Sequence, residues 1–201
     1  MKRVVHAGVR KENSKFKLDY TYNAPEDLIY IEEPQLYTSI HNNDIYHFGY
    51  RFNDDVNSKD RTEFIHSVKQ LGDNALDDNE LEQFIKRPLK YLNDKINLYD
   101  IDCMVYPLSQ RSHLVSKIVR CINDMTSHEM HKCSFEMVKN VPTVLDFNTQ
   151  SSAEKFSKLQ GSNILVVDDI NTTGSTLHEI LRKLGKINND SNIYVYTLIG
   201  K

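Results

Sequence analysis

The order of elements in this sequence predicts an α/β protein, a parallel sheet with helices on its faces, preceded by a smaller α+β region. Three observations lead there. From Ile101 onward, apolar segments of strand length alternate with amphipathic segments of helix length. One strand, residues 163–168, is an apolar run that ends abruptly in two adjacent carboxylates, the pattern of a buried strand whose end reaches solvent. The first hundred or so residues differ, being rich in tyrosine and polar side chains with no such alternation.

In chain order, residues 28–31, 36–40 and 45–52 have the composition of short strands, the last two joined by a tight turn at Asn42-Asn43-Asp44. Asp60 is placed to cap a helix whose Phe64, Ile65, Val68 and Leu71 share one face, with Gly72 positioned to end it. Leu81, Phe84, Ile85, Leu89 and Leu92 repeat the helical spacing and form a face that covers the following region, while Pro88 should kink or divide the segment. Beyond a change of character near residue 98, strands are expected at 101–106, 134–139, 163–168 and 192–198, and helices at 113–126, 151–159 and 174–184. The division is therefore an accessory region over 1–97 and an α/β core over 98–201.

A chain of 201 residues can bury one substantial core but leaves little room for a second full domain. Its 39% hydrophobic and 26% charged residues are ordinary for a soluble globular protein, and no segment approaches the ~20 apolar residues of a membrane span. Charged residues at Arg10, Lys11 and Glu12 follow Met1-Lys2-Arg3 too soon for the apolar stretch of a secretory signal, so a cytoplasmic protein is expected. Cys103, Cys121 and Cys133 are odd in number and show no paired spacing, which argues against a disulfide framework. The net charge of −3 gives nucleic acid no overall attraction, so direct nucleic-acid binding is not indicated. His128, His131 and Cys133 are metal-ligand types, but they read better as a polar connection between helix and strand.

The chemistry concentrates in Val166-Val167-Asp168-Asp169-Ile170-Asn171-Thr172-Thr173-Gly174-Ser175-Thr176. The carboxyl edge of an open α/β sheet is where ligands bind, and the strand delivers Asp168 and Asp169 to that edge. Thr172, Thr173, Gly174, Ser175 and Thr176 follow with hydroxyls, a glycine that admits close backbone approach, and the exposed amides of a starting helix. Carboxylates alone repel phosphate. The combination suits a ligand with hydroxyls or a metal at one end and a phosphomonoester at the other, such as a phosphorylated sugar.

This stretch resembles the 5-phosphoribosyl 1-pyrophosphate motif of type I phosphoribosyltransferases. The layout, with one strand after the motif, is similar to the competence-associated phosphoribosyltransferase-like proteins. The resemblance implies a type I phosphoribosyltransferase fold over 98–201, with 1–97 as an accessory, hood-like region. It implies that Asp168 and Asp169 hold the ribose 2′- and 3′-hydroxyls, directly or through Mg²⁺-bound water, and that Thr172 to Thr176 hold the 5′-phosphate. The family's pyrophosphate loop would fall at Ser109, Gln110 and Arg111. The planar donors of Arg111 suit pyrophosphate, and a helix starting near His113 adds its positive end; the other reading of these residues is an ordinary strand-to-helix turn with a solvated arginine.

Mg²⁺ is the implied cofactor, the sugar pyrophosphate or a phosphoribosylated nucleotide the implied ligand, and a homodimer the candidate assembly. Transfer to a nitrogen acceptor with release of pyrophosphate is the implied reaction. Its alternative is a non-catalytic sensor that keeps the loop and uses binding to bias a partner. Thr172 stands where 6-oxopurine members of the family carry an acidic residue, which disfavours hypoxanthine and guanine as acceptors. A nucleotide-triphosphatase reading fails, because none of the seven glycines opens a Gly-x-x-x-x-Gly-Lys-Ser/Thr loop.

Overall fold

The computed structural model describes residues 9–12, 15–18, 28–40, 43–71, 75–98, 100–108, 113–126, 130–136, 159, 162–171, 173–187 and 192–200. Strands β1 (Val9–Glu12) and β2 (Lys15–Leu18) pair as a small antiparallel ribbon. The remaining strands are β3 (Leu28–Ile40), β4 (Asn43–Phe52), β5 (Cys103–Leu108), β6 (His131–Glu136), β7 (Ile164–Ile170) and β8 (Ile193–Gly200). They form one six-stranded sheet in the order β3-β4-β8-β7-β5-β6, parallel except for the antiparallel edge pair β3–β4. The mixed sheet with flanking helices is the α/β core that the alternation predicts.

Helices cover both faces because the buried strands are apolar on both. On one side, Met104, Leu165, Val167, Tyr196 and Leu198 meet α1 (Ser58–Val68), α2 (Asp78–Leu98) and α3 (Leu114–Met125). On the other, Cys103, Val105, Ile164, Val166, Ile193 and Val195 meet Leu177, Ile180, Leu181 and Leu184 of α4 (Ser175–Ile187). Along these residues the change of side with residue parity is the period of a strand, although Leu198 and Ile199 at the end of β8 join the same cluster, and each buried leucine or isoleucine of α4 contributes about 2 kcal/mol.

Several local expectations change. Residues 28–31 and 36–40 belong to one strand, β3, whose pairing with β4 shifts register between Ile31 and Gln35 and again between Leu36 and Thr38. Asn43 and Asp44 lie in the ladder opposite Ile40 and Ser39, so the turn residues expected there pair instead; Asn42 lies outside the described residues. The cap of α1 is Asn57, not Asp60: its Oδ1 accepts the N–H groups of Lys59 and Asp60, each at 3.0 Å. Helix α2 opens on a reciprocal pair, Glu80 N–H to Asp77 Oδ1 at 2.8 Å and Asp77 N–H to Glu80 Oε2 at 3.1 Å. It then runs undivided through Pro88. A proline inside a helix costs about 3 kcal/mol, and burial of Leu81, Phe84 and Ile85 before it and Leu89, Leu92 and Ile96 after it offsets that loss. The helix expected at 151–159 lies outside the described residues except for Leu159, as does Gly72.

The amino-terminal hairpin is part of the core sheet. Tyr50 pairs with Ile199 and Arg51 with Gly200, and Tyr50 stacks on Phe84 of α2 at 4.6 Å between ring centroids. Phe64 of α1 meets Phe52 and Phe84 edge-on, each at 6.0 Å, so one aromatic cluster joins β4, α1 and α2. Gly49 permits the β4–β8 approach: at φ +111° any Cβ would lie 2.5 Å from the Leu198 carbonyl oxygen and 2.7 Å from that of Thr197. Both atoms are backbone and cannot move aside cheaply. Gly49→Ala should lower stability by roughly 2 kcal/mol or more, read as a fall in the urea midpoint; an unchanged midpoint would contradict this close approach.

Candidate functional site

Strand β7 is central, with β5 on one side and β8 on the other. From β5 the chain goes outward to β6 and returns to β7 beside β5, so the two adjacent strands mark a topological switch point, where α/β sheets open a crevice at their carboxyl ends. Asp168 continues the row of Ile164 and Val166 toward the α4 side, opposite Thr197 in the register. Asp169 continues the row of Leu165 and Val167 toward the side of α1 to α3. Strand parity thus sends two adjacent acids to different sides of one edge, and each is only 6% exposed.

Their partners differ as well. Asp168 Oδ1 accepts the N–H of Asp169 at 2.9 Å. Asp169 Oδ1 accepts the N–H of Ile170 at 2.6 Å, and its Oδ2 lies 3.0 Å from the ammonium of Lys69, which follows the last turn of α1. Burial, and then the charge of Asp169, push the Asp168 carboxyl up from 3.8 to about 7; the Asp169 N–H and the Lys69 ammonium act in the opposite direction.

Past β7, Asn171 extends the ladder by donating its N–H to the Ile199 carbonyl at 2.8 Å. Its side chain is buried, and among the described residues neither amide atom has a hydrogen-bond partner. Gly174 has φ +73°, the left-handed conformation that glycine adopts without steric cost. Its carbonyl accepts the N–H of His178 at 2.7 Å, the bond that starts α4. The Thr173 and Ser175 hydroxyls are 3.0 Å apart and exposed, at the start of a helix whose first-turn amides have no partner within the helix itself; the Ser175 N–H donates to Thr173 Oγ1 at 3.4 Å. Two carboxyls and an anion-receptive helix start therefore follow one another within a few residues of chain.

Of the residues singled out from sequence, Asp168, Asp169, Thr173, Gly174, Ser175 and Thr176 fall at this edge or in the loop and turn that leave it. Thr172, Ser109, Gln110 and Arg111 lie outside the described residues. The strand preceding Ser109 is β5, which ends at Leu108 and pairs directly with β7. Lys69 escapes a sequence reading, since a lysine at a helix end carries no mark of its partner a hundred residues away. Asn171 was readable only as part of the loop.

The family model for the phosphoribosyl transferase domain matches residues 126–201. That span runs from the end of α3 through β6, β7, the Gly174 loop, α4 and β8. Over that span, less than half of its length, the chain resembles a phosphoribosyl transferase domain. No curated protein matches the chain. Similar solved structures include a hypoxanthine-guanine phosphoribosyltransferase from Bacillus anthracis, with 16% identity, 60% of this chain and 68% of that one covered, and TM-score 0.42. The hypoxanthine phosphoribosyltransferase of Trypanosoma cruzi gives 15% identity, coverage of 60% and 76%, and TM-score 0.43. One from Staphylococcus aureus gives 15%, 60% and 74%, and 0.41.

The donors fit Mg²⁺ in one particular way. Mg²⁺ is commonly held by one or two carboxylates together with a ligand's phosphates, not by a cage made wholly of protein. Asp168 and Asp169 offer hard oxygen donors of that kind, and among the described residues no group of three or more His, Cys, Asp or Glu residues could hold a metal ion.

The raised carboxyl has a measurable signature. Unfolded, Asp168 releases its proton near 3.8; folded, near 7, so the folded state binds the extra proton between those values and stability falls as pH rises through that window. Asp168→Asn removes the titration. The variant should gain up to a few kcal/mol over wild type above about pH 7, with the gain shrinking to its low-pH baseline below about pH 4. A difference in melting temperature that does not vary with pH would contradict the buried-carboxyl account.

Proposed function

We propose that the protein binds 5-phosphoribosyl 1-pyrophosphate at the carboxyl edge of β7 and transfers its phosphoribosyl group to a nitrogen acceptor with release of pyrophosphate. The observation that carries this reading is the continuity of the buried Asp168–Asp169 pair with the Gly174 loop at the start of α4. It offers hydroxyl-binding groups at one end and an anion cradle at the other, the two needs of a ribose 5-phosphate.

In this reading Thr172, Thr173, Ser175, Thr176 and the first amides of α4 take the 5′-phosphate, anchoring the ligand away from the reacting carbon. Asp168 and Asp169 receive the ribose hydroxyls. With its carboxyl at about 7, Asp168 can donate its proton to one hydroxyl oxygen or, once ionised, accept from it. The anomeric carbon–oxygen bond breaks with its electron pair leaving on pyrophosphate, and the nitrogen lone pair forms the new bond to that carbon. An ionised carboxylate at this edge favours the positive charge that develops on the ring. Bound Mg²⁺ supplies charge neutralisation for the departing pyrophosphate. Ser109, Gln110 and Arg111, following the strand next to β7, are the proposed pyrophosphate contacts. Such chemistry draws on the soluble nucleotide pool, in keeping with a cytoplasmic place; among the described residues no helix is long and apolar enough to cross a membrane.

Calorimetric titration of 5-phosphoribosyl 1-pyrophosphate, with and without Mg²⁺, tests the binding half, and pyrophosphate release against a panel of nucleobases tests the transfer. Mg²⁺-dependent binding that weakens at least about tenfold in the Asp168→Asn/Asp169→Asn variant is expected, since each lost charged hydrogen bond is worth about 1.5–3 kcal/mol. Unchanged affinity in a folded double variant would remove the acids from the site. Binding without release for any base would favour the sensor.

A further inference from the structure

Lys69 caps the carboxyl end of α1, outside residues 126–201, yet its ammonium lies on an acid of the phosphate-loop strand. The turn that presents it is held firmly. Helix α1 ends in a Schellman arrangement, with the Leu71 N–H donating to the His66 carbonyl at 2.8 Å and the Gln70 N–H to the Ser67 carbonyl at 3.1 Å. Gln70 occupies the position usually given to glycine, at φ +55°, which costs roughly 1–2 kcal/mol for a residue with a Cβ. Its side chain supplies a reason: the amide nitrogen donates to the Leu76 carbonyl and to Asp78, and the amide oxygen accepts from Lys117, which also pairs with Asp78. The turn carrying Lys69 is thereby tied to the start of α2 and to α3.

At the other end of the contact, Asp169 has an oxygen committed on each side, Oδ1 to the Ile170 N–H and Oδ2 to Lys69. An ammonium and a divalent cation compete for Oδ2, since two positive charges so close repel one another. For a bare cation, displacing Lys69 or lying against its charge is costly, whereas a ligand that brings phosphoryl oxygens with the cation gives the displaced ammonium a new partner.

We propose that Lys69 is the resident counter-ion of the ligand-free site, displaced from Asp169 by a phosphorylated ligand arriving together with its divalent cation, so that the acidic pair discriminates against free metal. This rests on the reading of the acidic pair given above. It makes α1 part of the ligand site and gives the amino-terminal region a direct interest in whether that site is filled.

The test measures Mn²⁺ alone, without any sugar ligand, binding to the full-length chain by the electron paramagnetic resonance of free Mn²⁺, in wild type, Lys69→Gln and Lys69→Arg. Lys69→Gln should bind Mn²⁺ about tenfold or more tightly than wild type, because a cation is removed from contact with the carboxylate. Lys69→Arg keeps the charge and should stay at the wild-type value. Circular dichroism melts establish that all three are folded; if Lys69→Gln is not, Lys69→Met carries the same comparison. Equal Mn²⁺ affinity with and without the charge, or no binding in any variant, would overturn the proposal. A separate titration of wild type with 5-phosphoribosyl 1-pyrophosphate and Mn²⁺ keeps the two claims apart: failure there ends the transferase reading, while the metal comparison still judges Lys69.

Discussion

Two carboxyls placed side by side at the end of a strand buried on both faces set the terms for everything around them. A buried charge is costly unless it is paired or loses its charge. Here each remedy is used once: Asp169 is paired with Lys69, and the carboxyl of Asp168 is pushed up to about 7. Strand parity makes the division of labour possible, since the Lys69 side of the sheet is available to one acid and the α4 side to the other. An arrangement that costs stability in this way is common at functional sites, where groups are held ready for a ligand and not for the fold.

The amino-terminal region enters the account through the same edge. Gly49 lets β4 lie against β8, the aromatic cluster of Tyr50, Phe52, Phe64 and Phe84 fixes α1 and α2 on that strand, and the end of α1 then falls where Lys69 reaches Asp169. Residues 28–98 and the later strands thus share one sheet and one main hydrophobic cluster. The region expected to act as a hood contributes a structural wall and one charged side chain to the described part of the candidate site.

How much of this is legible in the sequence depends on the range of the interactions. Alternation of strand and helix after Ile101, the apolar run into Asp168 and Asp169, and Gly174 before a helix are local patterns, and the fold follows them. Local competition explains the smaller misses: Asn57 outdoes Asp60 as a cap because its side chain reaches two amides of the first turn, and Pro88 fails to divide α2 because apolar residues on both sides are held by the core. Long-range contacts leave no such trace. Nothing in the spacing of Gly49 points to the Leu198 carbonyl, and nothing around Lys69 points to Asp169.

If a phosphoribosyl ligand settles on the β7 edge, amide hydrogen exchange locates it there without presuming any chemistry. With Mg²⁺ present, addition of 5-phosphoribosyl 1-pyrophosphate should slow exchange in peptides covering 168–178, where the loop and the first turn of α4 offer open amides. Slowed exchange confined to other parts of the chain, or no change anywhere at saturating ligand, would contradict that placement.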